Sequence, residues 1–181
     1  MADTIAALQA QGGRYTLETV TPHGERSYTV IESLERVISY QDDLAPLIAA
    51  GADPATRIIS FTVTEAGYYL DAQNQLDWHT FADLRADLAA VKAGHVGHTL
   101  YGALVSILRA RMAAGAGPVT LMNCDNLRHN GDRSRGGLLQ FIDALGDTQL
   151  RAWVERNTSS PNAMVDRITP RPTPDVAERV K

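Results

Sequence analysis

Pro118-Val119-Thr120-Leu121-Met122, then Asn123-Cys124-Asp125-Asn126-Leu127-Arg128-His129-Asn130-Gly131, then an apolar series at Leu138, Phe141, Ile142 and Leu145 form the stretch on which the fold turns. The first run is short and apolar, as a strand buried in a sheet is, and the last recurs at helical spacing. Between them seven polar or reactive side chains fall in nine positions, too many for a core. A strand, a polar loop and a helix thus follow one another, the unit from which α/β sheets are assembled.

Upstream the same grammar recurs. Arg57-Ile-Ile-Ser-Phe-Thr-Val63 is an apolar run of the kind buried on both faces, a central-strand candidate, and Thr64-Glu65-Ala66-Gly67 turns polar where it ends. Phe81, Leu84, Leu88 and Val91 recur at helical spacing, as do Leu100, Leu104, Ile107, Leu108 and Met112 after the break at Gly94-His95-Val96-Gly97. Downstream, Leu150, Trp153 and Val154 mark a last helix, and Pro170-Arg-Pro-Thr-Pro174 can continue none. Nearer the start, residues 4–10 read as a short helix capped by Asp3 and stopped by Gly12-Gly13. Residues 15–20 and 27–31 form a hairpin around Pro22-His23-Gly24. Residues 36–40 are a further strand candidate, and Leu44, Leu47 and Ile48 give one face of a short helix ending near Gly51. Strands alternating with helices of about ten to fifteen residues predict an α/β sheet with helices on both faces. In such sheets ligands bind beyond the carboxyl ends of the strands.

Composition narrows the function. The 181 residues are 44% hydrophobic and 21% charged, as an ordinary globular domain is. With 17 Lys and Arg against 21 Asp and Glu the formal charge is -4, which disfavours a nucleic-acid partner. The lone Cys124 can neither close an internal disulfide nor build a multi-cysteine zinc cage, and it fits a reducing, cytoplasmic setting. No basic-then-apolar leader and no uncharged run of about eighteen apolar residues is present, so no membrane partner is expected.

Three segments could carry chemistry. In the first, the amides of Asn126 and Asn130 could hold an oxygen as it gains negative charge, or could cap the helix that begins near Gly131. Cys124, Asp125 and His129 suggest a nucleophile with its base, yet neighbours in one loop seldom reach that geometry, and Cys124 reads more simply as a small buried hydrophobe. The second segment is Thr64-Glu65-Ala-Gly-Tyr68, where a carboxylate at a sheet's carboxyl edge could face a cofactor or be a surface turn acid. In the third, residues 157–170, Asp166 and Arg167 sit between Val165 and Ile168, where they could form a partly buried ion pair. His95 and His98 lack a nearby third ligand and read as loop residues rather than a metal site. No G-x-G-x-x-G occurs.

Taken together, Phe61-Thr-Val-Thr-Glu-Ala-Gly-Tyr-Tyr69, Leu121-Met-Asn-Cys-Asp-Asn-Leu-Arg-His-Asn-Gly131 and Ser160-Pro-Asn-Ala-Met-Val-Asp-Arg-Ile-Thr-Pro170 resemble, in order and spacing, the polyol-specific long-chain dehydrogenases of the mannitol dehydrogenase family. Ala10-Gln-Gly-Gly-Arg-Tyr15, Leu17-Glu-Thr-Val20 and Thr169-Pro-Arg-Pro172 are most similar to its D-arabinitol-oxidising branch.

The resemblance implies a partial Rossmann-type, doubly wound α/β sheet with an added β-hairpin over residues 1–169, with residues 170–181 a linker. By the same comparison the first βαβ unit, with its glycine-rich turn, and a helical substrate domain carrying a Lys general base are not in this sequence, so the chain is expected to be a fragment with negligible turnover by itself. The implied reaction is NAD-linked oxidation of a secondary alcohol on an open-chain polyol to a ketose, D-arabinitol to D-xylulose, without a metal. Asn126 would steady the alkoxide oxygen and touch the cofactor. Asp166 would bind substrate, and Thr64, Glu65 and Val165 would line the cofactor cleft. Alternatives are a mannitol- or sugar-acid-acting relative (fructuronate or tagaturonate), a noncatalytic remnant that binds a partner or a nucleotide, and a hydrolase built on Cys124 and His129.

Overall fold

The computed structural model describes residues 2–39 and 44–166. The chain divides into two compact units, Met1–Leu47 and Ile48–Lys181, and each is described by itself.

In the first unit, helix α1 (Ala2–Ala10) ends where Gly12 and Gly13 take positive φ. Asp3 lies within its first turn instead of capping it, because the helix already begins at Ala2. Strands β1 (Tyr15–Val20) and β2 (Arg26–Ile31) pair antiparallel from Tyr15↔Ile31 to Val20↔Arg26, as the hairpin pattern predicts. Their turn closes through the Thr21 N–H on the Glu25 carbonyl at 2.9 Å. Both faces of the ribbon are open, leaving Tyr28 and Val30 exposed. The strand expected at residues 36–40 does not form over 36–39, and Tyr40 lies outside the described residues. Among the described residues no strand pairs with that backbone, and the Val37 carbonyl accepts the Gln9 side-chain amide instead.

The second unit holds the sheet. Helix α2 (Ala45–Ala52) runs across the division and leads to β3 (Ile58–Phe61), followed by a single 3-10 turn (Glu65–Tyr68), α3 (Ala82–Lys92) and α4 (Leu100–Ala113). Then come β4 (Val119–Asn123), α5 (Asn130–Leu145), α6 (Thr148–Asn157) and β5 (Thr158–Ser159). The three strands are parallel in the order β3-β4-β5, with Phe61 beside Asn123 and Val119 beside Thr158. Thr99 caps α4 by accepting the Gly102 N–H, and Asp147 caps α6 by accepting that of Leu150. The core forms where Val119 and Leu121 of β4 meet Leu104, Val105 and Leu108 of α4 and Leu138, Phe141 and Ile142 of α5, with Leu84, Leu150 and Val154 closing it.

β4, buried at alternate residues, is the central strand. β3 departs from the expectation of burial on both faces. It borders the described sheet, and only Ile59 and Phe61 turn inward while Ile58 stays 54% exposed. β5 is only two residues long and went unread in the sequence, being too short for any alternation.

One buried charge organises the amino ends of the strands. Arg111, on α4, has no exposed surface and donates to six carbonyls, those of Gly51, Asp53 and Thr56 ahead of β3 and of Ala116, Gly117 and Pro118 ahead of β4, at 2.8–3.2 Å. Burial, helped by the nearby Arg57 charge, holds its pKa below the usual arginine value. Among the described residues no helix is long and apolar enough to cross a membrane.

Candidate active-site rim

Parallel pairing sends the loops after β3, β4 and β5 off the same edge of the sheet. Two buried side chains then bind these loops to one another. Asp125, after β4, accepts the Val63 N–H from the β3 loop with both carboxylate oxygens, at 2.9 and 3.0 Å, and the Tyr68 hydroxyl at 2.6 Å. Asn123 supports the same junction. Its Oδ1 accepts the Asp125 N–H at 2.8 Å and its Nδ2 donates to the Tyr68 oxygen. Tyr101, from α4, donates to the Tyr68 carbonyl at 2.9 Å. Burial, then the hydrogen bond to Asp125, pushes the Tyr68 hydroxyl far above the usual tyrosine pKa. It therefore stays a neutral donor at any physiological pH.

The second tie is Asn130, fully buried at the first position of α5. Its Nδ2 donates to the carbonyls of Asp125 and Ala163, each at 2.9 Å, and its Oδ1 accepts the N–H of Gly131 at 2.8 Å and of Ala163 at 2.9 Å. The segment after β5 is thereby stitched to the start of α5. Asn162 adds a second pair, accepting the Asp132 N–H and donating to its carboxylate. Gly131 has to be glycine here, since a Cβ would come within 2.4 Å of the Pro161 carbonyl oxygen.

The singled-out side chains fall on this rim. Thr64 and Glu65 open the 3-10 turn after β3, both exposed, the Thr64 hydroxyl making no cap bond. Asn126 stands exposed on the loop after β4, next to the fixed Asp125, and caps no helix. Val165, 48% exposed, and Asp166, also exposed, lie two and three residues beyond Ala163, the last stitched residue of the β5 loop. Arg167, the expected ion-pair partner of Asp166, lies outside the described residues. Between the β3 and β4 loops a polar cleft of about 290 Å³ is lined by Glu65, Tyr68, Asp71, Asn74, Leu127 and Arg133.

Other readings resolve differently. Asn130 offers nothing to a ligand, because both ends of its amide are engaged within the protein. Cys124 is half-buried with its Sγ toward the Met122 carbonyl, while His129 faces Asp132 at 3.6 Å, so the two do not form a nucleophile-base pair. His98 contributes its backbone N–H to the buried Asp87, which also accepts the Thr99 hydroxyl. The junction of Asn123, Asp125 and Tyr68 was not foreseen. Its trace in the sequence is a pair of short polar side chains placed where a buried strand ends, and polar residues buried there need partners.

A sequence profile described as the mannitol dehydrogenase Rossmann domain matches residues 1–180. The chain belongs to the mannitol dehydrogenase family. Among the family's curated members, the D-arabinitol 4-dehydrogenase of Ralstonia nicotianae is 57% identical over 180 residues, 99% of this chain and 37% of that protein. Two solved structures share the fold across 99% of this chain and 36% of theirs. They are D-sorbitol dehydrogenase in substrate-free form (34% identity, TM-score 0.79) and the ternary complex of Pseudomonas fluorescens mannitol 2-dehydrogenase with NAD and D-mannitol (35%, TM-score 0.77). The chain thus spans a little over a third of the length of these mannitol dehydrogenase family members. The resemblance read from the three motifs is borne out, as is the Rossmann-type α/β class.

Proposed function

We propose that this chain is the rim-bearing part of an NAD-dependent dehydrogenase that oxidises a secondary alcohol of an open-chain polyol to a ketose, with D-arabinitol as substrate and D-xylulose as product, working in the cytoplasm. The observation that carries the reading is the free amide of Asn126, held where the loops of neighbouring parallel strands leave the sheet, in a chain 57% identical to a D-arabinitol 4-dehydrogenase.

The donor set fits the nicotinamide half of the cofactor. The side chains of Thr64, Glu65 and Asn126 have no hydrogen-bond partner among the described residues, and a hydroxyl, a carboxylate and an amide are what ribose hydroxyls and a carboxamide take up. Val165 offers an apolar flank for the ring. The chemistry NAD supplies, when bound, is acceptance of a hydride from the alcohol carbon. The contribution of Asn126 is to donate its Nδ2–H to the substrate oxygen as that oxygen loses its proton and gains charge. Asp166 accepts hydrogen bonds from neighbouring hydroxyls and so fixes which carbon faces the cofactor. In this reading the hydroxyl proton passes to a general base outside this chain, a Lys of the substrate domain.

The test is a segment exchange. This chain replaces the matching 180 residues of the Ralstonia nicotianae enzyme, and NADH formation is followed with D-arabinitol, D-mannitol and no polyol. The expected result is D-arabinitol-dependent NADH, with Asn126→Ala lowering kcat by roughly a hundred- to a thousandfold, the usual cost of one oxyanion donor. A chimera inactive on every polyol, or an Asn126→Ala variant with unchanged kcat, would reject the reading. The 181-residue chain assayed by itself is expected to form no NADH.

A further inference from the structure

Asn126 is exposed, yet its chain neighbour is among the most fully constrained residues of the molecule. Asp125 is buried, and all of its polar groups are engaged. Its N–H goes to Asn123 Oδ1 at 2.8 Å and its carbonyl accepts Asn130 Nδ2 at 2.9 Å. Its carboxylate takes the Val63 N–H and the Tyr68 hydroxyl. Among the described residues no cation lies within ion-pair distance of it, and its carboxylate is bonded by an N–H and an O–H. Burying a carboxylate without a cation is costly, and a helix cap or a turn would need no such group. What the arrangement secures is the position of the next residue, since the backbone on the amino side of Asn126 is fixed to β4, α5 and the β3 loop at once.

We propose that Asp125 is a positioning residue for Asn126, locking the β4 loop to the β3 loop through the Val63 N–H and the Tyr68 hydroxyl so that the backbone from which the Asn126 amide projects is held in one place. The inference rests on the function proposed above, and it adds a residue that acts on the chemistry without touching substrate or cofactor. Direction matters in this lock. Tyr68 accepts from Asn123 Nδ2 and gives its own hydrogen to Asp125, so the junction has room for an acceptor at position 125 and none for a second donor. Asp125→Asn keeps the shape but turns one oxygen into an NH₂, which meets the Tyr68 hydroxyl in one amide orientation and the Val63 N–H in the other, a donor facing a donor either way.

Two measurements test this, each with Tyr101→Phe as the control. That control deletes one buried hydrogen bond to Tyr68 and leaves the β4 loop untouched. In the segment-exchange enzyme, Asp125→Asn is expected to lower kcat with D-arabinitol about tenfold or more while KM for NAD stays within about twofold, whereas Tyr101→Phe keeps kcat even where it lowers Tm as much. On the 181-residue chain itself, ¹⁵N relaxation of the Asn126 backbone N–H is expected to match that of α5, to loosen in Asp125→Asn, and to stay rigid in Tyr101→Phe. An Asn126 N–H that is mobile in the unsubstituted chain, or unmoved by Asp125→Asn, overturns the proposal, as does a kcat that falls equally in both variants in step with Tm. An inactive unsubstituted chimera speaks against the proposed function instead, and the relaxation data then decide on Asp125 by themselves.

Discussion

A side-chain amide at Asn130 and a guanidinium at Arg111 do for this domain what a longer sheet does elsewhere: each gathers the ends of several strands. Asn130 works at the carboxyl edge, where both atoms of its amide meet backbone partners of the opposite kind. Replacing it by Asp turns the Nδ2 donor into an oxygen facing the carbonyls of Asp125 and Ala163. Leaving buried polar groups unpaired costs roughly 1–3 kcal/mol each, so Asn130→Asp is expected to destabilise by about 3 kcal/mol or more in urea unfolding. Arg111 works at the amino edge, and its planar fork reaches six carbonyls. A lysine has only three donors on one atom and cannot span them. Arg111→Lys is therefore expected to lower stability by about 2 kcal/mol or more although the charge is kept. Neither residue was legible beforehand for what it does. Asn130 reads in the sequence as an oxygen-holding amide or a helix cap, and nothing singles out Arg111, because the partners that decide their roles, Ala163 for the one and Gly51, Asp53 and Thr56 for the other, are remote in sequence.

Among the elements, α4 and α5 carry the core, and their contact is set by glycines of opposite circumstance. A Cβ at Gly137 would lie 2.1 Å from the Tyr101 hydroxyl, which is itself bonded to the Tyr68 carbonyl, whereas one at Gly136 would meet nothing within 4 Å. Gly137→Ala is thus expected to cost about 1–3 kcal/mol through overpacking. Gly136→Ala is expected to be neutral or to stabilise by up to about 1 kcal/mol through helix propensity, and thermal melts of the two single variants separate these effects. The helices were the most readable part of the sequence, for Phe81 to Val91, Leu100 to Met112 and Leu138 to Leu145 repeat over enough turns to define a face. Strands were readable only where they were buried. The β4 pattern held, the β3 run overstated its burial because apolar composition does not say which neighbour will cover it, and two-residue β5 had no pattern to read. The three loops at the rim were legible as polar segments after strands, and what tied them together was not.

The molecule as a whole should respond to alkali. Burial and then the hydrogen bond to Asp83 push the Tyr69 hydroxyl up to about 12, and burial raises Tyr68 and Tyr101 further still. An unfolded tyrosine ionises near pH 10, so the fold favours the protonated form. Its contribution is complete below about pH 10 and is lost as pH climbs through 12, with no counterpart on the acid side from these groups. Far-ultraviolet dichroism is expected to hold to about pH 10 and to collapse together with a late rise in tyrosinate absorbance; a collapse that precedes that rise would assign the instability to other groups. The burial of Asn130 has one more outcome, which concerns time. Asn-Gly is the dipeptide that most readily cyclises to a succinimide and loses ammonia, since the glycine nitrogen can swing onto the side-chain carbonyl. Here the helical start of α5 and the bonds to Ala163 keep that nitrogen from attacking, so the reaction proceeds only in chains that have opened. Each such event writes an aspartate or isoaspartate into the position that can least accept one, and the fraction of chains so marked becomes a chemical record of how long the population has spent unfolded.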